Sequence, residues 1–218
     1  MSMWADRAKA GRPLAVRLRH LRQEHPLVLA LPRGGVPVAL AVAAALEADF
    51  DLLLVRKLSA PCHPELAMGA VSDGGHPRTV INWGIVEEGH ISEADIRAAG
   101  ARELAELERR RKLWRGGQAH IPIQDRVTSI IDDGVATGAS IRVALEAARH
   151  AGARRLVLAA PVATPEAVGA LRPDCDEAIF LLQSEDFRAV GDYYDDFHQL
   201  DDGEVRRLML GRAHSPAH

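Results

Sequence analysis

Cysteine is nearly absent from this 218-residue chain, which has only Cys62 and Cys175. The two form no C-x-x-C pair, so neither a secreted disulfide framework nor a zinc site is expected, and a reducing compartment is. Lysine is scarce as well: Lys9, Lys57 and Lys112 are the only ones, and arginine supplies the rest of the 27 basic residues. Aromatic residues make up 4% of the chain. No apolar run approaches the roughly 18 residues that a membrane span requires. Charge of one sign is missing too. The 27 basic and 30 acidic residues give a formal net charge of -3, too little for a global field that would hold nucleic acid or a membrane surface. Trp4, Asp6 and Arg7 interrupt the apolar stretch that a secretory leader needs, so the expected location is cytoplasmic.

Hydrophobic residues at 47% and charged residues at 26% describe an ordinary globular protein, and the length suits one domain spanning residues 1–218. Short apolar runs bounded by turn residues predict buried strands at 27–31, 51–55, 127–131, 156–160 and 178–182. Helical stretches follow three of them, at 36–48, 140–151 and 165–171. Strands apolar on both faces, alternating with alanine-rich helices, predict an α/β fold with a parallel sheet covered on both sides.

Two regions depart from this alternation. Residues 92–114 read as a helix that opens at Ser92 with a capping-box-like Asp95, carries Ile96, Leu104, Leu107 and Trp114 along one side, and ends at Gly116-Gly117. This helix marks an insertion spanning roughly 83–117. Its Arg109-Arg110-Arg111-Lys112 run reads as a solvated face rather than a nucleic-acid contact. From 183 to about 210 the chain is acidic and aromatic, with Phe187, Tyr193, Tyr194 and Phe197, and implies a local cap. A last helix is expected from Asp201, with Glu204 at capping-box spacing, followed by a disordered tail over 211–218.

The stretch that carries chemistry is Ser129-Ile130-Ile131-Asp132-Asp133-Gly134-Val135-Ala136-Thr137-Gly138-Ala139-Ser140, a buried strand leading through a small-residue loop into a helix. Gly134, Ala136, Gly138 and Ala139 let the backbone approach an anion at the positive end of that helix, and Thr137 and Ser140 add hydroxyl donors. Two adjacent carboxylates at the end of a strand need hydroxyls, a metal or water, because an unpaired buried charge is very costly. A P-loop is excluded because Ala139 stands where its lysine belongs. The turn Pro32-Arg33-Gly34-Gly35 does not supply the G-x-G-x-x-G of a dinucleotide fold.

Residues 130–140 resemble the phosphoribosyl-pyrophosphate signature of the type I phosphoribosyltransferases. The resemblance covers a core of roughly 27–182 and implies a Rossmann-like parallel sheet with a helical insertion and a C-terminal hood over 183–210. It implies that Asp132 and Asp133 hold the ribose hydroxyls and help orient Mg2+, with Gly134, Val135, Ala136, Thr137, Gly138, Ala139 and Ser140 around the 5-phosphate. Arg33, Gly34 and Gly35 resemble the pyrophosphate loop. Arg56 and Lys57 resemble the root of a flexible catalytic loop running from Leu58 to about Gly75.

Within that loop His63 and Glu65 are the candidates for proton transfer, and Asp133, Arg56 and Lys57 complete the catalytic set. Phe187, Tyr193 and Tyr194 are candidates to stack on a planar acceptor. The implied activity is transfer of 5-phosphoribosyl from phosphoribosyl pyrophosphate to a nitrogenous acceptor, in nucleotide or nucleoside metabolism. Ala136 replaces the aspartate of the hypoxanthine and guanine enzymes, which weighs against a 6-oxopurine handled in their manner. The alternative is a non-catalytic sensor of phosphoribosyl pyrophosphate or a nucleotide. Small-molecule substrates are the expected partners, with no membrane or nucleic acid, and the fold often forms homodimers.

Overall fold

A computed structural model of the chain describes residues 2–61, 63–73, 78–116 and 118–212. Its first helix, α1 (Arg7–Arg17), starts where the Asp6 carboxylate accepts the Lys9 amide at 2.6 Å. Strand β1 (Leu27–Ala30) is buried along its whole length and leads into α2 (Gly35–Leu46) and β2 (Asp49–Leu52). After an antiparallel segment and two helices, the parallel alternation resumes with β6 (Val127–Ile131), α5 (Ala139–His150), β7 (Arg155–Ala163), α6 (Pro165–Leu171) and β8 (Glu177–Gln183). The five strands of the main sheet are parallel and ordered β2-β1-β6-β7-β8.

Both faces of this sheet are covered, as the doubly apolar strands require. Val28 and Ala30 point into a layer shared with Leu14 of α1 and Val42 of α2, while Leu27 and Leu29 point into the layer of Ile141 and Leu145 of α5. The expected strands at 27–31 and 127–131 and the helix at 165–171 agree with the structure to within a residue. The expected strand 51–55 begins and ends earlier, at 49–52, and Val55 instead opens a second sheet.

That second sheet replaces the expected flexible loop. It consists of β3 (Val55–Ala60), β4 (His63–Ser72) and β5 (Arg78–Ile81), paired antiparallel in that order. Leu58, Met68 and Val71 are buried in the main apolar cluster, so the ribbon is fastened to the core by its inner side chains. A period-2 alternation with this burial makes a hairpin rather than a loop. Cys62 and Gly74 to Pro77 lie outside the described residues.

The insertion contains α3 (Trp83–Glu88) and α4 (Glu93–Arg115). Ser92 caps α4 by accepting the Asp95 amide at 3.2 Å, and Gly116 closes it at φ +59°. Leu107 and Trp114 are buried, with Ile96 and Leu104 packed beside them. Each cation of the 109–112 run is paired on its own helix: Arg109 and Arg110 with Glu106, both at 2.7 Å, and Arg111 and Lys112 with Glu108 at 2.7 and 3.4 Å.

The final helix α7 (Asp202–Arg212) carries the expected reciprocal cap, with the Asp201 amide donating to Glu204 and the Glu204 amide to Asp201. Gly211 and Arg212 belong to this helix, which corrects the start of the expected tail. Among the described residues no helix is long and apolar enough to cross a membrane.

Candidate active site at the crossover of the parallel sheet

In strand order 2-1-3-4-5 the chain leaves β1 toward one edge and returns to start β6 on the other side of β1, so the loops after these two strands diverge and leave a crevice at their C-terminal ends. The β1–α2 loop and the β6–α5 loop are the two segments singled out in the sequence, and they touch. A Cβ on Gly34 would run into the Asp133 carboxylate, and one on Gly35 would lie 2.6 Å from the Ile131 carbonyl. Only glycine permits this approach. The Pro32–Arg33 peptide is cis.

The β6–α5 loop is anchored at one point. Val135 bridges to β7: its amide donates to the Val162 carbonyl at 2.9 Å and its carbonyl accepts from the Thr164 amide at 3.0 Å. The Thr164 hydroxyl then donates to the Ala136 carbonyl at 2.8 Å. Beyond that anchor, the amides of Ala136 through Ile141 meet no backbone or side-chain acceptor among the described residues, and Gly138 offers α5 no side-chain cap. The first bond of α5 runs from the Arg142 amide to the Gly138 carbonyl. Ala136, Thr137, Ala139 and Ser140 are all exposed. An open crescent of N–H groups at the start of a three-turn helix, with two hydroxyls beside it, is an anion cradle.

The two acids differ sharply. Asp133 is buried and its Oδ2 accepts from Arg7 Nε at 2.7 Å, while its carbonyl accepts from the Tyr194 hydroxyl at 2.5 Å. Asp132 keeps part of its surface open, and its Oδ1 accepts the Asp133 amide at 2.9 Å. Burial, and then the negative charge of Asp133, push the Asp132 carboxyl well above the usual carboxylate range. Of the two acids, Asp132 is the more exposed, and only one of its oxygens accepts a hydrogen bond among the described residues. Among the described residues no cluster of three or more His, Cys, Asp or Glu forms a metal site. With Asp133 neutralised by Arg7, Asp132 is the carboxylate that fits Mg2+, an ion that keeps waters and takes few protein carboxylates beside phosphate oxygens.

Gly34 and Gly35 of the first loop thus meet Ile131, Asp132 and Asp133 at the start of the second. The remaining catalytic candidates lie on the ribbon. Arg56 on β3 turns toward the insertion, with its Nε and Nη2 at 2.9 and 2.8 Å from Glu103 of α4. Lys57 and His63 are exposed. Of Glu65 only the backbone is described.

Tyr194 departs from its expected role as an acceptor-stacking ring. It is 5% exposed, stacks on Phe197 at 5.3 Å and lies 5.6 Å from Trp4, so the protein's own rings occupy its faces. Burial, followed by the Asp133 charge, pushes its hydroxyl far above the ordinary tyrosine range, which keeps it a donor. Phe187 and Tyr193 pair at 5.6 Å and stay partly exposed.

Arg7 was not singled out in the sequence. One signal was present: a cation in the first turn opposes the helix dipole, and such a residue needs a partner elsewhere. A groove of about 1650 Å³ between α1, α2 and α7, lined by Arg7, Leu40, Ala44, His198 and Leu208, lies away from the phosphate loop. The converging chemistry is at the strand ends, not in that groove.

No family model matches the chain. Two curated proteins of Mycobacterium tuberculosis, from strains CDC 1551 and H37Rv and each bearing the name "Putative phosphoribosyl transferase", are 42% identical to it over 214 residues, or 98% of this chain. The chain spans about half the length of these relatives, 48%. The crystal structure of TT1426 from Thermus thermophilus is 40% identical, with a TM-score of 0.85, over 97% of this chain and 99% of that one. A Neisseria gonorrhoeae protein solved with bound ppGpp shares the fold at a TM-score of 0.51 and 11% identity, over 97% of each chain. The chain is thus similar over nearly its whole length to proteins named phosphoribosyl transferases, and the sheet order places the two loops at the crossover of an α/β fold.

Proposed function

We propose that this chain transfers the 5-phosphoribosyl group of phosphoribosyl pyrophosphate to a nitrogenous acceptor and releases pyrophosphate. The observation that carries this reading is the run of amides from Ala136 to Ile141 without protein acceptors among the described residues, a short way along the chain from the half-open Asp132 carboxylate. That spacing suits a 5-phosphate at one end and ribose hydroxyls at the other.

Cleavage of the C1–O bond leaves positive charge on the ribose ring and negative charge on pyrophosphate, so catalysis is a matter of positioning and electrostatics. The amides of the β6–α5 loop, with Thr137 and Ser140, hold the 5-phosphate, and Asp132 orients the ribose. Arg33 and the backbone of Gly34 and Gly35 receive the departing pyrophosphate. Mg2+, when bound, would neutralise pyrophosphate, and Asp132 would be the residue to hold it. The ribbon bearing Lys57 and His63 covers the crevice and keeps water from the activated sugar. Arg56 reaches the leaving group only by exchanging its Glu103 partner.

That Arg56 pairing favours a second reading, a non-catalytic sensor of phosphoribosyl pyrophosphate or a nucleotide. Pyrophosphate release decides between the two. Incubation with phosphoribosyl pyrophosphate, Mg2+ and a panel of purines, pyrimidines and other ring amines is expected to release pyrophosphate with at least one acceptor. Tight binding with no release across the panel supports the sensor, and absence of binding contradicts both.

A further inference from the structure

Asp133 is held from several sides by groups that lie outside the sheet and the phosphate loop. Arg7, at the first position of α1, donates from Nε to Asp133 Oδ2 at 2.7 Å and from Nη1 to the His198 carbonyl at 3.0 Å. Its guanidinium carbon sits 3.8 Å from the centroid of the Phe197 ring, and its side chain is 8% exposed. Tyr194 donates to the Asp133 carbonyl from the segment that carries Phe197. This segment is itself tied to the chain's beginning, since the Met3 and Trp4 amides donate to the Tyr193 carbonyl and the Asp195 amide to the Trp4 carbonyl. The Asp133 amide in turn donates to Asp132 Oδ1. Asp133 is therefore held at its carboxylate by Arg7 and at its carbonyl by Tyr194, and its amide holds the Asp132 carboxylate.

We propose that Arg7 is a positioning residue of this site: by fixing Asp133 it sets the orientation of Asp132 toward the ribose hydroxyls and divides the acid pair into one structural and one substrate-binding member. Two adjacent carboxylates repel, and a bidentate-capable guanidinium held flat on an aromatic ring is suited to neutralise one of them without mobility. The Asp133 carboxylate fills the space that a Cβ on Gly34 would take, so it is held between the β1–α2 loop and Arg7. The inference rests on the phosphoribosyl reading of the loop.

The test compares ribose 5-phosphate with inorganic phosphate by calorimetric titration. Both use the amide cradle, but only the sugar uses Asp132, so their affinity ratio isolates the hydroxyl contacts. The wild-type protein is expected to prefer ribose 5-phosphate by about tenfold, the worth of a hydrogen bond to a charged group. Arg7→Met is expected to reduce that preference to about twofold or less while phosphate affinity holds, and Arg7→Lys to recover part of it. Tyr194→Phe, which keeps the ring and removes the hydroxyl, is expected to reduce the ratio to a smaller extent, and it carries the test should Arg7→Met not fold.

A wild-type preference that survives in the folded Arg7→Met protein, or in Tyr194→Phe if only that variant folds, overturns the positioning role alone. Equal loss of phosphate and sugar binding reduces Arg7 to a structural residue and also overturns it. A wild-type protein that binds phosphate without preferring the sugar overturns the phosphoribosyl reading and this inference together.

Discussion

Asp132 and Asp133 are neighbours in the chain and opposites in setting. Asp133 lies between a guanidinium and Gly34, whereas Asp132 accepts a backbone amide on one oxygen and keeps part of its surface open. Because burial and Asp133 raise the Asp132 carboxyl above its unfolded value, the folded state binds that proton more tightly than the unfolded chain does. Its contribution to stability is present below the unfolded value, about 3.9, and is lost as pH rises through the folded one. Asparagine mimics the protonated acid and still accepts the Asp133 amide. Asp132→Asn is therefore expected to melt at or above the wild-type temperature at pH 7, with a flatter pH dependence of stability, while ribose 5-phosphate binding falls about tenfold. Thermal melts across pH 4 to 8 with parallel titrations check this, and a destabilised variant that still binds would contradict it.

At the scale of elements, the ribbon's root is fastened by a buried ion cluster. Arg115, the last residue of α4, donates to Asp51 of β2 at 2.9 Å, to Asp73 after β4 at 3.0 Å and to the Leu52 carbonyl, while Asp73 also accepts the Leu54 amide just before β3. His120 lies 2.8 Å from the second Asp51 oxygen. Burial raises the Asp73 carboxyl above its ordinary value despite Arg115, whereas at Asp51 the His120 hydrogen bond and Arg115 outweigh burial and lower it. Removing the shared cation leaves buried Asp73 with only the Leu54 amide among the described residues, and Asp51 with His120 and backbone amides. Arg115→Met is expected to cost about 3–5 kcal/mol in urea denaturation, with amide exchange accelerated first in β3 and β4. A loss below about 1 kcal/mol would mean that the cluster contributes little.

The same elements show what a sequence reveals and what it conceals. β1, β6 and α6 were legible because a strand buried on both faces, or a helix opening Thr164-Pro165, announces itself locally. The ribbon was not, because Pro61, Pro64 and Gly69 interrupt its alternation. Helix α1 also went unremarked: Pro13 lies inside it, and a proline in a helical interior ordinarily argues against a helix.

For the whole molecule, the β6–α5 loop could be singled out from one contiguous stretch, since its open amides follow from local sequence. The clasp on Asp133 could not, because Arg7 lies 126 residues away and Tyr194 another 61 beyond, and only the folded sheet brings them to one point. Arg7 and Tyr194 therefore meet the acid pair only in the folded state, where Trp4 is bridged to Tyr194.

If the bend after Asp133 holds a sugar phosphate through its backbone, its amides must report the ligand. The most direct measurement is a titration of isotope-labelled protein with Mg2+ and phosphoribosyl pyrophosphate, following backbone amide resonances. The amides of Ala136 through Ile141 are expected to shift together and farthest, and Asp132→Asn to keep those shifts while weakening binding. Shifts concentrated in the groove between α1, α2 and α7, with the loop amides unmoved, would contradict a phosphate held by the bend.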